Sequence, residues 1–495
     1  MGCIHTQRYR EDSIKHLQEL FQHGIWGGED KCTARTHLFC PLLVFNMLQT
    51  TFCDEAIFTQ TLMEPEEATG IIKQSLPADI KKACAWAFRH SEQKEPVYLP
   101  EAFVLPKAKK SFQKARPLIP ATGHWLKKLH TVTSRIIGDL AHERYGAKSL
   151  NVGTTMDAVK ILRCFLERHQ SGLEGKLVAL NRDLAGFYTA IPQSDILRAV
   201  DELLDSFSKP FGEAWWTSSL AKTRPITKKG KLHTKGSIRL EARTIKAIVR
   251  HALQSAFFTI GGRVFRQSRG ALMGYPLSGI LCILTIMRLE ELNVPQRAIP
   301  MRDRDWIALR YVDNLLAIYQ RIDDEPTLPE WLQSSSCYGS SIILEHETTL
   351  DYLGLTLLPT AFSFHLAMIV PGFDELGLHD GRLWSQKWRY RSAVGATNRA
   401  AVVGGIEARL HNAIRFTYPL IQTHIAIAKL MAIANAVEFS QEALVRLTNK
   451  FAGRYPSKFT PAFFRNLRAA IAVAPQKRAS ALLELIGCLS HSIPL

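Results

Sequence analysis

Two aspartates stand where apolar strands stop. In KLVALNRDLAGFYTAIP (176–192) the run LVAL reads as a buried strand, and it ends at Asp183. In LRYVDNLLAIYQ (309–320) two apolar strands, WIALRY and LLAIYQ, flank Val312-Asp313-Asn314. That segment reads as a hairpin with polar residues at its tip, where Asp and Asn tolerate turn geometry. A carboxylate at the end of a buried strand must be ion-paired, hydrogen-bonded or bound to a metal. Taken singly, each aspartate also reads as an ordinary capped residue or an Asp-Asn turn. Their similar positions, 130 residues apart, point to shared work.

Other segments carry binding chemistry. After Asp183 come Gly186, Phe187, Tyr188 and Ile191-Pro192, then SDILRAVDELLDSF, a predicted amphipathic helix with Ser194 as its cap. In QSRGALMGYPLSGILCILTIMRLEEL (267–292), Gly270 and Gly274 allow unusual backbone angles and close approach of a ligand. Pro276 is placed to open an apolar helix from Leu277 to about Leu289. FVLPKAKKSFQKARPLIP (103–120) sets Lys107, Lys109, Lys110, Lys114 and Arg116 on a basic hairpin. Such cations suit a triphosphate because they neutralise phosphate oxygens, and they equally suit a solvated charged hairpin. TRPITKKGKLHTKGSIRLEAR (223–243) adds Lys228, Lys229, Lys231, Lys235 and Arg239 with no acidic residue before Glu241. It reads either as a segment that tracks a nucleic-acid backbone or as a solvated loop.

The elements that must position these residues fall into three blocks. Residues 1–95 look mostly helical, 96–370 mix short strands with helices, and 371–495 are helical again. The last block is lopsided, since residues 381–495 hold 16 Lys+Arg, four Glu and no Asp. Over all 495 residues, 62 Lys+Arg stand against 45 Asp+Glu, a net charge of +17 that favours a polyanionic partner, foremost nucleic acid. The 46% hydrophobic and 22% charged content is globular and excludes a disordered chain. Nine cysteines without a Cys-x-x-Cys spacing fit a reducing, intracellular compartment, cytoplasmic for a bacterial protein. No membrane span is evident, and the opening MGCIHT fits an acylation pattern.

In this order, PKAKK…ARPLI, RDLAGFYTAI, QSRGALMGYPLSGI and RYVDN resemble the fingers hairpin and the first three palm motifs of the reverse transcriptases. LDYLGLTLL (350–358) is similar to the family's hydrophobic primer-grip hairpin. The texture of FFTIGGRVFRQSRGALMGYPLSG resembles the Penelope-like and telomerase-like branch, and stand-alone bacterial reverse transcriptases, antiviral-defence types among them, are compatible. The resemblance implies an α+β right-hand polymerase fold: fingers and palm with an antiparallel palm sheet over 96–370, a helical N-terminal extension and a basic helical thumb. It implies RNA-directed DNA synthesis from dNTPs, with an RNA template, a DNA product and, in some relatives, a dedicated noncoding RNA. It implies two Mg2+ ions, replaceable by Mn2+, about 3.5–4 Å apart. Asp183 and Asp313 would hold them with help from the Leu184 carbonyl. Lys107 and Arg116 would meet the triphosphate, and Tyr188 would be the steric gate under the sugar, with a core tyrosine as its plainer role. Gln267, Gly270, Met273 and Gly274 would line the nucleotide pocket.

Two departures stand against the family pattern. Asn314 replaces the usual second aspartate of Tyr-x-Asp-Asp, keeping one carbonyl oxygen and losing a charge. No lysine occurs between Arg321 and Gly354, where the family often has one suited to protonating pyrophosphate; His346 is the nearby candidate. They leave open a catalytically degenerate RNA-binding scaffold, and a template-independent or protein-primed polymerase on the same palm.

Overall fold

The strand expected to end at Asp183 spans Lys176–Leu184 (β6) in the computed structural model of the chain. The structure describes residues 25–29, 32–83, 99–107, 114–122, 124, 126–169, 176–208, 215–219, 228–229, 237–294, 305–322, 325–326, 330–339, 342–370, 373, 377–379, 382–384 and 399–492. MGCIHT, Lys109, Lys110, Lys231 and Lys235 lie outside them.

The chain folds as two compact units, and they interleave along the sequence instead of following three consecutive blocks. The reason is strand pairing. β6 joins strands far downstream, so contact and sequence order part company.

One unit comprises residues 150–184, 294–337 and 344–495. Its main sheet is antiparallel, in the order β12 (Trp306–Tyr311), β13 (Asn314–Ile322), β6 and β15 (Leu344–His346), with β14 (Glu325–Pro326) paired to β13. The apolar runs read from sequence supply Ile307, Leu309, Leu316 and Ile318 to a core closed by Leu162, Phe165 and Leu166 of helix α5 (Thr155–Arg168). Thr154 caps that helix by accepting from the Asp157 amide. A short helix, α9 (Glu330–Gln333), follows β14. The segment resembling the primer grip is a hairpin of β16 (Asp351–Tyr352) and β17 (Leu355–Pro359), extended by β18 (Phe364–Met368). Leu353 and Gly354, both at positive φ, turn it tightly.

After the hairpin of β19 (Gly377–His379) and β20 (Arg382–Trp384), the unit ends in five helices: α10 (Arg399–Phe416), α11 (Leu420–Ala436), α12 (Gln441–Arg454), α13 (Pro461–Ala472) and α14 (Pro475–His491). The C-terminal region is thus helical, as expected from the sequence. α11 is apolar on nearly every side and is buried accordingly, with Ile427, Leu430, Met431 and Ile433 at the centre of the bundle.

The other unit comprises residues 1–149, 185–293 and 338–343. The N-terminal extension was expected to be helical, and its described part does contain α1 (Pro41–Phe52), α2 (Pro65–Gln74) and α3 (Ala78–Ala83). It also contains a hairpin, β1 (Ile25–Glu29) with β2 (Cys32–Phe39). A further strand, β3 (Phe58–Gln60), completes a three-stranded sheet with β10 (Phe257–Ile260) and β11 (Arg263–Gln267). The basic hairpin is β4 (Phe103–Pro106) with β5 (Ala115–Leu118).

Helices α4 (Lys127–Tyr145), α6 (Gln193–Ser208), α7 (Ala242–Gln254) and α8 (Ser278–Asn293) pack together. α8 is the apolar helix expected after Pro276. It is pinned by a two-pronged Arg288–Glu202 pair, both contacts at 2.6 Å, and by Arg144 and Lys148 on Glu291. α6 begins at Gln193, so Ser194 lies inside it and is not the cap.

Candidate active site

The carboxylates belong to the first unit described. β12 and β13 pair from Trp306↔Tyr319 to Tyr311↔Asn314, which leaves Val312 and Asp313 as a two-residue turn. β13 also pairs with β6, with Asn314 opposite Asp183. The amide of Leu184 donates to the carbonyl of Asp313 at 2.8 Å. Asp183 and Asp313 therefore sit at adjoining backbone positions despite their separation in sequence. Residues directly opposite in an antiparallel pair share a face, so Asp183 and Asn314 project together. The sequence had placed Asn314 in the tip; pairing makes it the first residue of β13.

Three features of this turn escaped the sequence reading. Val312 holds φ +58, a left-handed conformation that is costly for a β-branched side chain, on the order of 1–3 kcal/mol. Arg310 has no exposed surface, and its Nη1 donates to the Val312 carbonyl at 2.7 Å. Glu345, exposed on β15, lies opposite Asp183 on the other side. An arginine inside WIALRY looks like a strand residue, and the register of β15 leaves no local signal. His346, beside Glu345, is exposed and opposite Arg182.

The donor set can be tested against a metal. Among the described residues no three His, Cys, Asp or Glu side chains gather as an all-protein cage. Two carboxylates with one amide oxygen suit Mg2+ instead, which keeps waters and takes further oxygens from substrate phosphates. The amide oxygen is present: Asn314 Oδ1 is buried without a hydrogen-bond partner. A buried acceptor in that state is costly unless something satisfies it, and a hard cation would.

The loops belong to the other unit. Gly186, at φ +63, turns the chain so that its carbonyl accepts from the amides of Thr189 and Ala190 at 2.7 and 2.6 Å. The Tyr188 carbonyl then accepts from Ala271, Gly270 donates to the Ile191 carbonyl, and Arg269 Nε donates to that of Ala190. Gly270 is required here, since an added Cβ would lie 2.1 Å from the Tyr188 oxygen, at φ +71. The Tyr188 ring packs edge-to-face on buried Phe187, and its half-exposed side chain brings the hydroxyl near Gly279, in the first turn of α8.

Gln267 is a residue expected from the resemblance to line the nucleotide pocket. Its side chain is buried and its amide donates to the Arg269 carbonyl at 2.7 Å, so it braces the loop from within. Gln193, not anticipated, donates to the carbonyls of Gln267 and Gly270. Met273 is half-buried, and its carbonyl accepts from the Ile119 amide at 2.8 Å, which ties the loop to the segment after β5. Gly274 is exposed and abuts the Ile119 carbonyl at a distance where a Cβ would meet it at 2.5 Å. On the hairpin, the Lys107 amide donates to Lys114, and Leu105 faces Arg116; both Lys107 and Arg116 are half-exposed.

Behind this loop lies a histidine pair, His130 buried and His124 partly exposed. His124 stacks on His130 at 5.5 Å and meets Tyr275 edge-on. Burial first, and then the neighbouring His251, push His124 down to about 4. Both ring nitrogens of His130 are buried without hydrogen-bond partners, and burial drives it well below the ordinary histidine range.

The basic insertion is partly a sheet and not merely a loop. Lys228 and Lys229 form β8, β7 is Trp215–Ser219 and β9 is Ser237–Glu241, in the order β8-β7-β9. Arg239 lies 4.0 Å over the Trp215 ring and 3.7 Å from Glu241.

No protein-family model matches the sequence, and no curated protein matches it in sequence either. Solved structures do match. Telomerase from Candida albicans in complex with a TWJ fragment of telomeric RNA superposes with a TM-score of 0.57 at 11% identity, over 97% of this chain and 71% of that one. Telomerase from Candida tropicalis with the same kind of RNA fragment gives 0.51 at 10% identity, over 96% and 68%. The apo telomerase of that species gives 0.50 at 11% identity, over 97% and 74%. The chain thus has the α+β right-hand polymerase fold of these telomerases.

Proposed function

We propose that this protein is a template-directed nucleotide polymerase of the reverse transcriptase kind, copying RNA into DNA from dNTPs with Mg2+. The observation that carries this reading is the meeting of Asp183 and Asp313 at one strand end. Asp183, Asp313 and the Asn314 oxygen would hold the ions, with Mn2+ able to replace Mg2+. When bound, the ions lower the pKa of the primer 3′-hydroxyl and stabilise charge on the leaving pyrophosphate. Tyr188, on a loop braced by Gln267 and Gln193, limits the sugar to one lacking a 2′-hydroxyl. Lys107 and Arg116 neutralise triphosphate oxygens. The RNA carried by two of the similar telomerases, together with the +17 charge, supports an RNA template and leaves room for a dedicated noncoding RNA.

A second reading, an RNA-binding scaffold without chemistry, is motivated by Asn314 and by the absence of lysine between Arg321 and Gly354. Incubation of the purified chain with Mg2+, primed RNA and labelled dNTPs or NTPs separates the two. Incorporation that is lost in Asp183→Asn supports the polymerase. RNA binding without product under any nucleotide set supports the scaffold.

A further inference from the structure

We propose that Arg310 is a positioning residue that holds the Val312–Asp313 turn in its metal-binding shape, an inference that rests on the polymerase reading above. Arg310 is fully buried, and its Nη1 donates to the Val312 carbonyl at 2.7 Å. That carbonyl belongs to the peptide unit whose nitrogen is Asp313. A peptide unit is planar, so fixing its oxygen fixes the position of the Asp313 Cα from which the side chain departs. The clamp is needed because Val312 is held at φ +58, a conformation that valine leaves readily when nothing restrains it.

Arg310 is itself immobilised. Its amide donates to the Leu150 carbonyl at 2.7 Å, and its carbonyl accepts from Val152 at 2.8 Å. Next along the strand, the Leu309 carbonyl accepts from the buried Tyr352 hydroxyl at 3.3 Å. The backbone that carries the guanidinium is thus fixed at Arg310 and at its neighbour Leu309, which ties it to the β16–β17 hairpin. A planar group with several fixed donors suits this task; a lysine ammonium keeps the charge and loses the fixed geometry.

The test uses full-length protein: wild type, Arg310→Lys, and Arg310→Lys with Val312→Gly. Three quantities are measured: the melting temperature, Mn2+ binding by electron paramagnetic resonance, and the Mg2+ concentration giving half-maximal dNTP incorporation. The expected result is a rise of at least tenfold in half-saturating Mg2+ for Arg310→Lys, with matching loss of Mn2+ affinity and a dNTP KM at saturating Mg2+ changed less than threefold. Glycine adopts the left-handed conformation without a clamp, so the double variant should recover most of the ion affinity. A folded Arg310→Lys with unchanged ion dependence overturns the inference. So does a double variant that recovers neither folding nor ion affinity, since the role would then be general packing. A wild type that neither binds Mn2+ nor incorporates nucleotide brings down the polymerase reading, and this inference with it.

Discussion

Asparagine at 314 removes a charge from the turn proposed to hold the ions and keeps an oxygen there, buried and without a hydrogen-bond partner. Asn314→Asp should therefore retain or raise incorporation, by up to about tenfold at limiting Mg2+, because a carboxylate binds a hard cation more strongly than an amide. Complete loss of activity in that variant would show that the asparagine is required. Tyr188 is half-exposed and seated against Phe187 and the start of α8. Tyr188→Val should open the site to NTPs, read as a rise of at least tenfold in NTP over dNTP use; an unchanged ratio assigns the ring to packing alone. The histidines behind the loop make stability depend on pH. With a folded value of about 4 for His124 against 6.5 unfolded, the unfolded chain takes up a proton across that window while the folded chain does not. Stability is therefore complete above about pH 6.5 and falls as pH drops toward 4. His130→Leu removes a second such group and two unpartnered buried nitrogens. Melting curves at pH 7 and pH 5 should show a smaller acid loss for this variant than for wild type, and an equal or larger loss would contradict the burial argument.

The elements divide the work between strands that bring carboxylates together and loops that lock to one another. The loop lock depends on glycine. Gly270→Ala would force a Cβ to within 2.1 Å of the Tyr188 oxygen at a φ that alanine disfavours, for an expected loss of about 2–4 kcal/mol in denaturant unfolding. A loss below about 0.5 kcal/mol would mean that the two loops do not meet there. Much of this level was legible in the sequence. LVAL, WIALRY, the helix after Pro276 and the helical character of the C-terminal block declare themselves through local composition and punctuation. What stayed hidden is non-local. β3 pairs with β11, which lies about 200 residues downstream, and nothing in FTQ announces it. Nothing local marks Arg310 or Gln267 as buried, and burial makes each a brace for its turn or loop.

At the scale of the whole molecule, the resemblance to reverse transcriptases and the fold agree, and the interleaving of the two units follows from pairing strands distant in sequence. Sequence order placed the four motifs; only the pairing of β6 with β13 brings Asp183 beside the turn that carries Asp313. The most direct measurement is single-nucleotide incorporation by the purified chain on primed RNA with Mg2+, wild type beside Asp183→Asn and Asp313→Asn. The expected result is dNTP incorporation by wild type and a fall of about a thousandfold or more in each variant, with RNA binding and melting temperature retained. Incorporation that survives both substitutions would contradict the assignment of the metal site, and its absence from wild type under every nucleotide set and with Mn2+ would contradict the polymerase itself.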